Sequence, residues 1–270
     1  MVTAFPDPTL LSHPVRILTG LEKPYGIAYR SDKNVIISEC AGHRLSVFDV
    51  RGHKILTFGS DGEQEQMRAP AGITIDVMDN VYVTGCHRLQ KFSSSGKLIK
   101  CVGRKGKEEG EFNDPSGITL YADKIFVCDR NNHRIQVFDC DLSFFQSFGS
   151  FGSGGGEFDS PLDVTFDTLE NMYVADCGNS RVQILDASGR FIQVLGEQNL
   201  TRPSSLHLCD NYVYVSDWGG NRIVVYKTSG QFVTSFGSAG QQEGEFYSPY
   251  SITSDLDGFI YVCDCWNNRV

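Results

Sequence analysis

The sequence has no apolar run of membrane-spanning length, and its start, MVTAFPDPTLLSHP, lacks the charged and apolar regions of a signal peptide. No CxxC pair occurs among the nine cysteines, which are an odd number. Positive charge is scarce, because 24 Lys plus Arg stand against 33 Asp plus Glu, a net charge of −9. These absences predict a cytosolic protein with reduced, mostly structural thiols and no membrane segment. They also predict that the overall charge of the protein does not drive binding to nucleic acid.

Motifs of common catalytic sites are also missing. The chain contains no GxSxG elbow, no HExxH and no glycine loop that ends in Lys-Ser/Thr. The stretch GRKGKEEGEF resembles a phosphate loop only in its glycines. We therefore predict no catalytic residue, no metal site and no cofactor.

What the chain does contain is a repeat. An apolar run such as KPYGIAY or DPSGITL recurs six times, and its proline stands at positions 24, 70, 115, 161, 203 and 249. Each unit continues with a second run such as KIFVCDR, a third run that begins at an arginine, as in RIQVFD, and a fourth such as FFQSFGS. The runs alternate apolar with polar residues and are rich in β-branched and aromatic side chains, which predicts four strands per unit.

Four short antiparallel strands per repeat are typical of a β-propeller blade, which must stack on its neighbours to bury both faces. No helical periodicity competes with this interpretation. The sequence therefore predicts an all-β, six-bladed propeller that forms a single domain over residues 1–270, with repeats that start near 24, 70, 115, 161, 203 and 249.

The motifs GEFNDPSGITL, KIFVCDRNNHRIQVFD and FFQSFGS, which recur in register, resemble NHL repeats over about residues 14–270. The pattern is similar to the C-terminal NHL domain of tripartite-motif proteins. That resemblance implies a recognition module within a larger E3 ubiquitin ligase, whose RING, B-box and coiled-coil segments are not in this sequence. It also implies that the isolated domain is a monomer without turnover.

Closure of the ring raises a separate question, because the last repeat stops at CDCWNNRV, two residues into its third strand. The segment Pro14–Gly20 aligns with the fourth strands, so we predict that it forms the outermost strand of blade six. Val2–Phe5 could continue the broken third strand, so that residues 1–23 close the ring. The alternative, left open by the sequence, is that residues beyond Val270 complete the blade.

One acid and one arginine, five residues apart, recur between the second and third strands of most repeats, as Asp129/Arg134, Glu39/Arg44, Asp176/Arg181, Asp217/Arg222 and Asp264/Arg269. A pair present in nearly every blade indicates scaffold, and we expect the two side chains to meet each other and free backbone groups there. His43, His87 and His133 occupy one equivalent position. Equivalent positions on successive blades point away from one another around the ring, so these histidines are not expected to converge on one zinc ion.

Propeller enzymes work at the central channel, near the residues that follow the blade prolines: Tyr25, Ala71, Ser116, Leu162, Ser204 and Tyr250. A lactonase-like propeller would need a ring of carboxylates or amides there for calcium. An amidating lyase would need a zinc site of histidines, which His207 alone does not supply. A zinc or calcium enzyme is therefore less favoured than the two other functions considered, protein recognition and RNA binding.

The favoured function is protein recognition by the loops at one end of the propeller, where exposed aromatic residues meet mixed charge. RNA binding is the alternative, through basic residues of blades two and three with an aromatic side chain for stacking. Acidic residues interrupt that patch, so a broadly basic surface is absent. The candidate binding residues are Tyr25, Arg88, Arg104, Lys105, Lys107, Arg130, His133, Trp218, Tyr250 and Trp266.

Overall fold

A computed structural model describes residues 8, 16–59 and 67–270 of the chain. These residues form 22 strands, arranged as five four-stranded antiparallel sheets and one two-stranded sheet. The strands are β1 Pro24–Tyr29, β2 Val35–Glu39, β3 Arg44–Phe48, β4 Lys54–Phe58, β5 Pro70–Ile75, β6 Val81–Gly85, β7 Arg88–Phe92, β8 Leu98–Val102, β9 Pro115–Tyr121, β10 Lys124–Asp129, β11 Arg134–Asp139, β12 Phe144–Phe148, β13 Pro161–Phe166, β14 Met172–Asp176, β15 Arg181–Leu185, β16 Phe191–Leu195, β17 Pro203–Cys209, β18 Tyr212–Asp217, β19 Arg222–Lys227, β20 Phe232–Phe236, β21 Pro249–Ser254 and β22 Ile260–Asp264.

The predicted propeller is confirmed, and within each sheet the strands lie in chain order. The first strands of the six repeats contact one another around a central channel, and β1 also contacts β21. Apolar side chains of neighbouring blades fill the space between the sheets. Between blades four and five, for example, Val182 and Val213 are fully buried in one cluster. Each blade therefore buries its faces against its neighbours, as the repeat predicts.

Close approach of the innermost strands explains three glycines. A Cβ at Gly26 would lie 2.2 Å from the carbonyl oxygen of Ala71, and a Cβ at Gly72 would lie 2.5 Å from that of Ser116. Gly117 makes the same approach to Leu162. In blade four the equivalent residue is Asp163, and the channel therefore differs at that point.

Blade six has two strands among the described residues, and the first and last parts of the chain meet beside it. Leu18 and Val270 exchange two backbone hydrogen bonds of 2.7 and 3.0 Å. The backbone N–H of Lys23 donates to Asn268 Oδ1 at 2.9 Å. The first two bonds place Leu18, which lies in the predicted closing segment 14–20, beside Val270, the residue predicted to lie in the third strand of blade six. The predicted pairing of Val2–Phe5 lies outside the described residues.

In the described ranges 16–59 and 67–270, three single 3₁₀ turns follow second strands, Arg130–Asn132, Cys177–Asn179 and Cys265–Asn267. Within the described part of the chain, no helix has the length and apolar character needed to cross a membrane. All nine cysteines lie in the described ranges as free thiols.

Candidate functional site

The propeller has two loop-bearing ends with different construction. The platform face carries two kinds of loop: those between second and third strands, and the crossings from one blade to the next. The crossings that follow β8, β12 and β20 are twelve residues long, and the crossing that follows β16 is seven. The turn face, at the other end, carries the two- to five-residue connections between first and second strands: residues 30–34, 76–80, 122–123, 167–171, 210–211 and 255–259.

On the platform face, the recurring acid holds each loop together. The Oδ1 atom of Asp129 accepts the backbone N–H of Asn113 at 2.7 Å, and its Oδ2 atom accepts from Arg134 at 2.8 Å, Asn132 at 2.8 Å and Gln136 at 3.0 Å. Asp129 is fully buried, so these bonds replace its lost hydration. The predicted scaffold role of the acid and arginine pairs is confirmed.

The histidine position also joins neighbouring blades. His133 adopts a left-handed conformation with φ of 55°, and its Nδ1 atom accepts the backbone N–H of Ser160 in the next blade at 3.0 Å. His43 and His87 accept the N–H groups of Ala69 and Asp114 in the same way. The described residues contain no group of three or more metal-ligating side chains. Of the predicted binding residues, His133 thus has a structural use that accounts for its position.

Three predicted binding residues meet at the platform end of the channel. The rings of Tyr25 and Tyr250 lie with their centroids 3.6 Å apart. Burial is the main cause that raises the pKa of both hydroxyls, and the nearby Arg130 guanidinium opposes that shift. Arg130 also forms an ion pair of 3.1 Å with Asp114. The two tyrosines narrow the channel mouth, and a cation stands beside them.

Each tryptophan of the chain carries a cation over its ring. Lys23 Nζ lies 4.2 Å from the ring centroid of Trp266, and the Arg202 guanidinium lies 5.3 Å from that of Trp218. Trp266 is 55% exposed and lies beside the half-exposed ring of Tyr247, whereas Trp218 is only partly exposed. These contacts form two aromatic and cationic pairs on the platform face.

Sequence reasoning missed Lys23, Arg202 and Tyr247 as parts of this surface. A signal was available for the two cations, because each directly precedes a blade proline. That position lies at the platform end of an innermost strand, where Arg202 reaches the loop of its own blade and Lys23 reaches the loop of blade six. Tyr247 lies in the last crossing, and no motif there distinguished it from the other crossing residues.

The predicted basic patch on blades two and three is only partly assembled. Arg104 is paired with Glu111 at 2.6 Å, and Arg130 with Asp114. Lys105 and Lys107 are exposed on the crossing. Burial raises the pKa of the Cys101 thiol, and the nearby Arg88 guanidinium opposes that shift. The patch therefore lies toward the rim, and acids neutralise part of it.

The channel beneath the tyrosines is a cavity of about 360 Å³, lined by the innermost strands. His207 and Ser254 form a hydrogen bond of 2.8 Å within it, and burial lowers the pKa of His207 to about 4. Asp163 accepts from Ser205 Oγ and from the backbone N–H of Leu206. Among the hydrogen bonds of the described residues, none joins Asp163 to His207, so these groups do not form a serine–histidine–acid triad there.

Comparison with known proteins agrees with this architecture. A family described as a 6-bladed beta-propeller matches residues 74–200. The RING finger protein nhl-1 of Caenorhabditis elegans is 38% identical over 80 residues, which are 29% of this chain and 8% of that protein. NHL repeat-containing protein 3 of Mus musculus is 27% identical over 161 residues, which are 49% of this chain and 45% of that protein.

Among solved structures, a streptogramin B lyase covers 96% of this chain and 97% of its own, with a TM-score of 0.70 and 14% identity. At that identity the likeness shows the fold alone. The chain matches less than half the length of either curated relative. Together with the recurring motifs, the matches confirm the β-propeller fold and the predicted resemblance to NHL-repeat proteins.

Proposed function

We propose that this NHL-repeat propeller is a non-catalytic recognition module that binds a protein partner through the platform face. The observation that carries the proposal is the exposed Trp266 ring, 55% accessible, with Lys23 over it and Tyr247 beside it. Large aromatic residues and arginines supply most of the binding energy at protein interfaces. A ring held in place by a cation and a neighbouring ring loses little freedom on binding.

The remainder of the platform supports the same function. Arg130 and Tyr25 lie at its centre, Arg202 and Trp218 lie on blade five, and buried carboxylates hold the loops that carry them. Cations next to aromatic rings favour a partner segment that combines acidic and apolar side chains.

The relative from Caenorhabditis elegans is named a RING finger protein, which supports a ligase context. In that context, the propeller would select the protein to be modified, and segments outside this sequence would carry out the transfer. A cytoplasmic location follows from the same proposal.

The experiment compares the proteins retained by three purified variants: the native chain, Trp266→Ala, and Leu256→Ala on the turn face. Leu256 is 74% exposed, so its removal deletes a comparable apolar contact from the opposite end. We expect partners retained by the native chain and by Leu256→Ala to be lost with Trp266→Ala. Loss with Leu256→Ala, or equal retention by all three proteins, would overturn the proposal.

RNA binding is the second candidate, and the exposed Lys105 and Lys107 favour it, because no ion pair of the described residues includes either side chain. A randomised RNA pool is titrated at two salt concentrations with the native chain and with an Arg104→Glu/Lys105→Glu variant. Saturable, salt-sensitive binding that the charge reversal abolishes would favour RNA over a protein partner. Absence of binding at low salt would remove this candidate.

A further inference from the structure

The central channel is a compartment separate from the platform face. Its walls are the six innermost strands, and the contact between Tyr25 and Tyr250 narrows it at the platform end. From there the lining continues to Tyr29 and Ser254, near the ends of the first strands, where the turn face begins. The cavity of about 360 Å³ lies in the range of small-molecule sites.

The lining of this cavity includes one carboxylate and no lysine or arginine. That carboxylate, Asp163, stands where the three preceding blades have glycine. Its Oδ2 atom accepts two hydrogen bonds, from Ser205 Oγ at 2.7 Å and from the N–H of Leu206 at 2.9 Å. Its Oδ1 atom accepts one, from the N–H of Val164 at 2.9 Å. Since a carboxylate has about four acceptor positions, Oδ1 retains one, and no cation neutralises the charge.

The approach from the turn face is acidic. The connections that form this face carry two cations, Arg30 and Lys33, against nine carboxylates: Asp32, Asp76, Asp79, Asp123, Asp167, Glu170, Asp210, Asp255 and Asp257. Tyr29 lines the channel. Burial raises the pKa of its hydroxyl, and three of these acids, Asp255, Asp257 and Asp32, raise it further. A ring of one charge sign around an opening concentrates small ions of the opposite sign.

We propose that the channel binds a small organic ammonium ion, which enters from the turn face, pairs with Asp163 and lies against the tyrosine rings. The unpaired charge of Asp163 supplies the electrostatic attraction, and the faces of aromatic rings attract organic cations. An anion is disfavoured, because the lining offers no cationic side chain. A metal ion is disfavoured, because the described residues contain no group of three metal-ligating side chains.

Three neighbouring threonines on the innermost strands, Thr74, Thr119 and Thr165, complete the lining on the side of Asp163. Their hydroxyls can accept hydrogen bonds from an ammonium group or from a hydroxyl of the same ligand. The predicted ligand class is therefore an amine or quaternary ammonium compound with a short polar arm. This site lies in the channel and is independent of partner binding on the platform face.

The test uses choline and its neutral isostere 3,3-dimethyl-1-butanol as probes, in calorimetric titrations of the whole chain. We expect saturable binding of choline and at least tenfold weaker binding of the isostere, because the two differ chiefly in charge. Asp163→Asn should weaken choline binding at least tenfold. Asp141→Asn removes the same charge from an exposed turn distant from the channel and should leave the affinity unchanged.

A second measurement does not depend on the folding of a variant. The native chain is titrated with choline at pH 7.5 and pH 5.0, on either side of the Asp163 pKa, which burial raises to about 6. The other titratable groups around Asp163 are His207, with its pKa lowered to about 4, and Cys128, Tyr25 and Tyr250, whose pKa values are raised. None of these titrates between the two pH values, so protonation of Asp163 should weaken binding severalfold at pH 5.0.

Several results would overturn the proposal. They are equal affinities for choline and its isostere, no choline binding at millimolar concentration, an unchanged affinity at pH 5.0, or equal losses in Asp163→Asn and Asp141→Asn. Competition by calcium chloride at matched ionic strength would indicate a metal site in place of the ammonium site, and would also overturn it.

Discussion

The two ends of the propeller come from the same repeat and nevertheless differ in chemistry. The platform face carries cations over the tryptophan rings, whereas the turn face carries nine carboxylates against two cations. The short turns use aspartates to close hydrogen-bonded loops, as when Asp76 Oδ1 accepts the N–H groups of Met78 and Asn80, both at 2.9 Å. The crossings are longer and place varied side chains above the ring.

The comparison also separates scaffold from candidate function. Among the positions that repeat in most blades, the acid that pairs with the arginine is buried and its hydrogen bonds are satisfied. The candidate sites lie where the repeat is broken. Arg130 and Trp218 replace the cysteine that four other blades carry at that point, and Asp163 and His207 replace the small residues of neighbouring blades. Departures from the repeat are therefore the positions to test.

The largest expected effect is on the scaffold of the platform. Asp176→Ala removes the acceptor of four hydrogen bonds and leaves the Arg181 guanidinium, 8% exposed, without its partner. Breaking such a buried pair costs about 3–5 kcal/mol. Urea unfolding measures the loss, with Asp141→Ala on an exposed turn as the control. A loss below about 1 kcal/mol would show that these loops are not held by their acids.

The channel should respond to pH in a direction set by Asp163. Its folded pKa of about 6 lies above the ordinary value of 3.8, so stability from this group is present at pH 4 and lost as the pH rises through 6. The difference in free energy of unfolding between Asp163→Asn and the native chain should therefore shift in favour of the variant by about 2–3 kcal/mol when the pH is raised from 4.5 to 7.5. Urea unfolding at both pH values gives this difference. A constant difference would mean that Asp163 titrates normally.

The two tryptophans should differ from each other in stability measurements. Trp218→Ala should lower the free energy of unfolding by about 2 kcal/mol. The Trp218 ring is partly buried beneath Arg202, so the substitution removes packed apolar area. Trp266→Ala should lose less than about 1 kcal/mol, since most of its ring already contacts solvent. Thermal unfolding of both variants beside the native chain checks the order. A greater loss for Trp266 would assign that ring to the scaffold.

The smallest expected effect concerns the rim of the platform. Arg104 is 82% exposed in its pair with Glu111, so Arg104→Ala should change the free energy of unfolding by less than about 0.5 kcal/mol. Lys105→Ala, next to it and without an ion pair among the described residues, is the matched control. Unfolding in low and high salt measures both. A larger, salt-sensitive loss confined to Arg104→Ala would show that the pair organises the crossing.

Most of the fold was predictable because its signals are local and repeated. The alternation in RIQVFD predicts a strand, and the pairing of Asp129 with Arg134 follows from five residues of separation across one loop. The platform was harder to predict. The patch proposed from Arg104 and Lys105 lies at the rim, while Lys23 and Arg202 lie over the tryptophans, because packing between residues far apart in the chain decides which side chains meet.

By itself the sequence determined the strands, the number of repeats, the resemblance to NHL repeats and the scaffold role of the recurring acid and arginine pairs. These depend on periodicity, turn chemistry and contacts between residues close in the chain. Only the tertiary structure decided that Tyr25 of the first repeat narrows the channel with Tyr250 of the last, and that Asp163 is half-buried with no ion pair among the described residues. Such contacts arise when the ring closes and brings distant repeats together, and no local pattern records their distances.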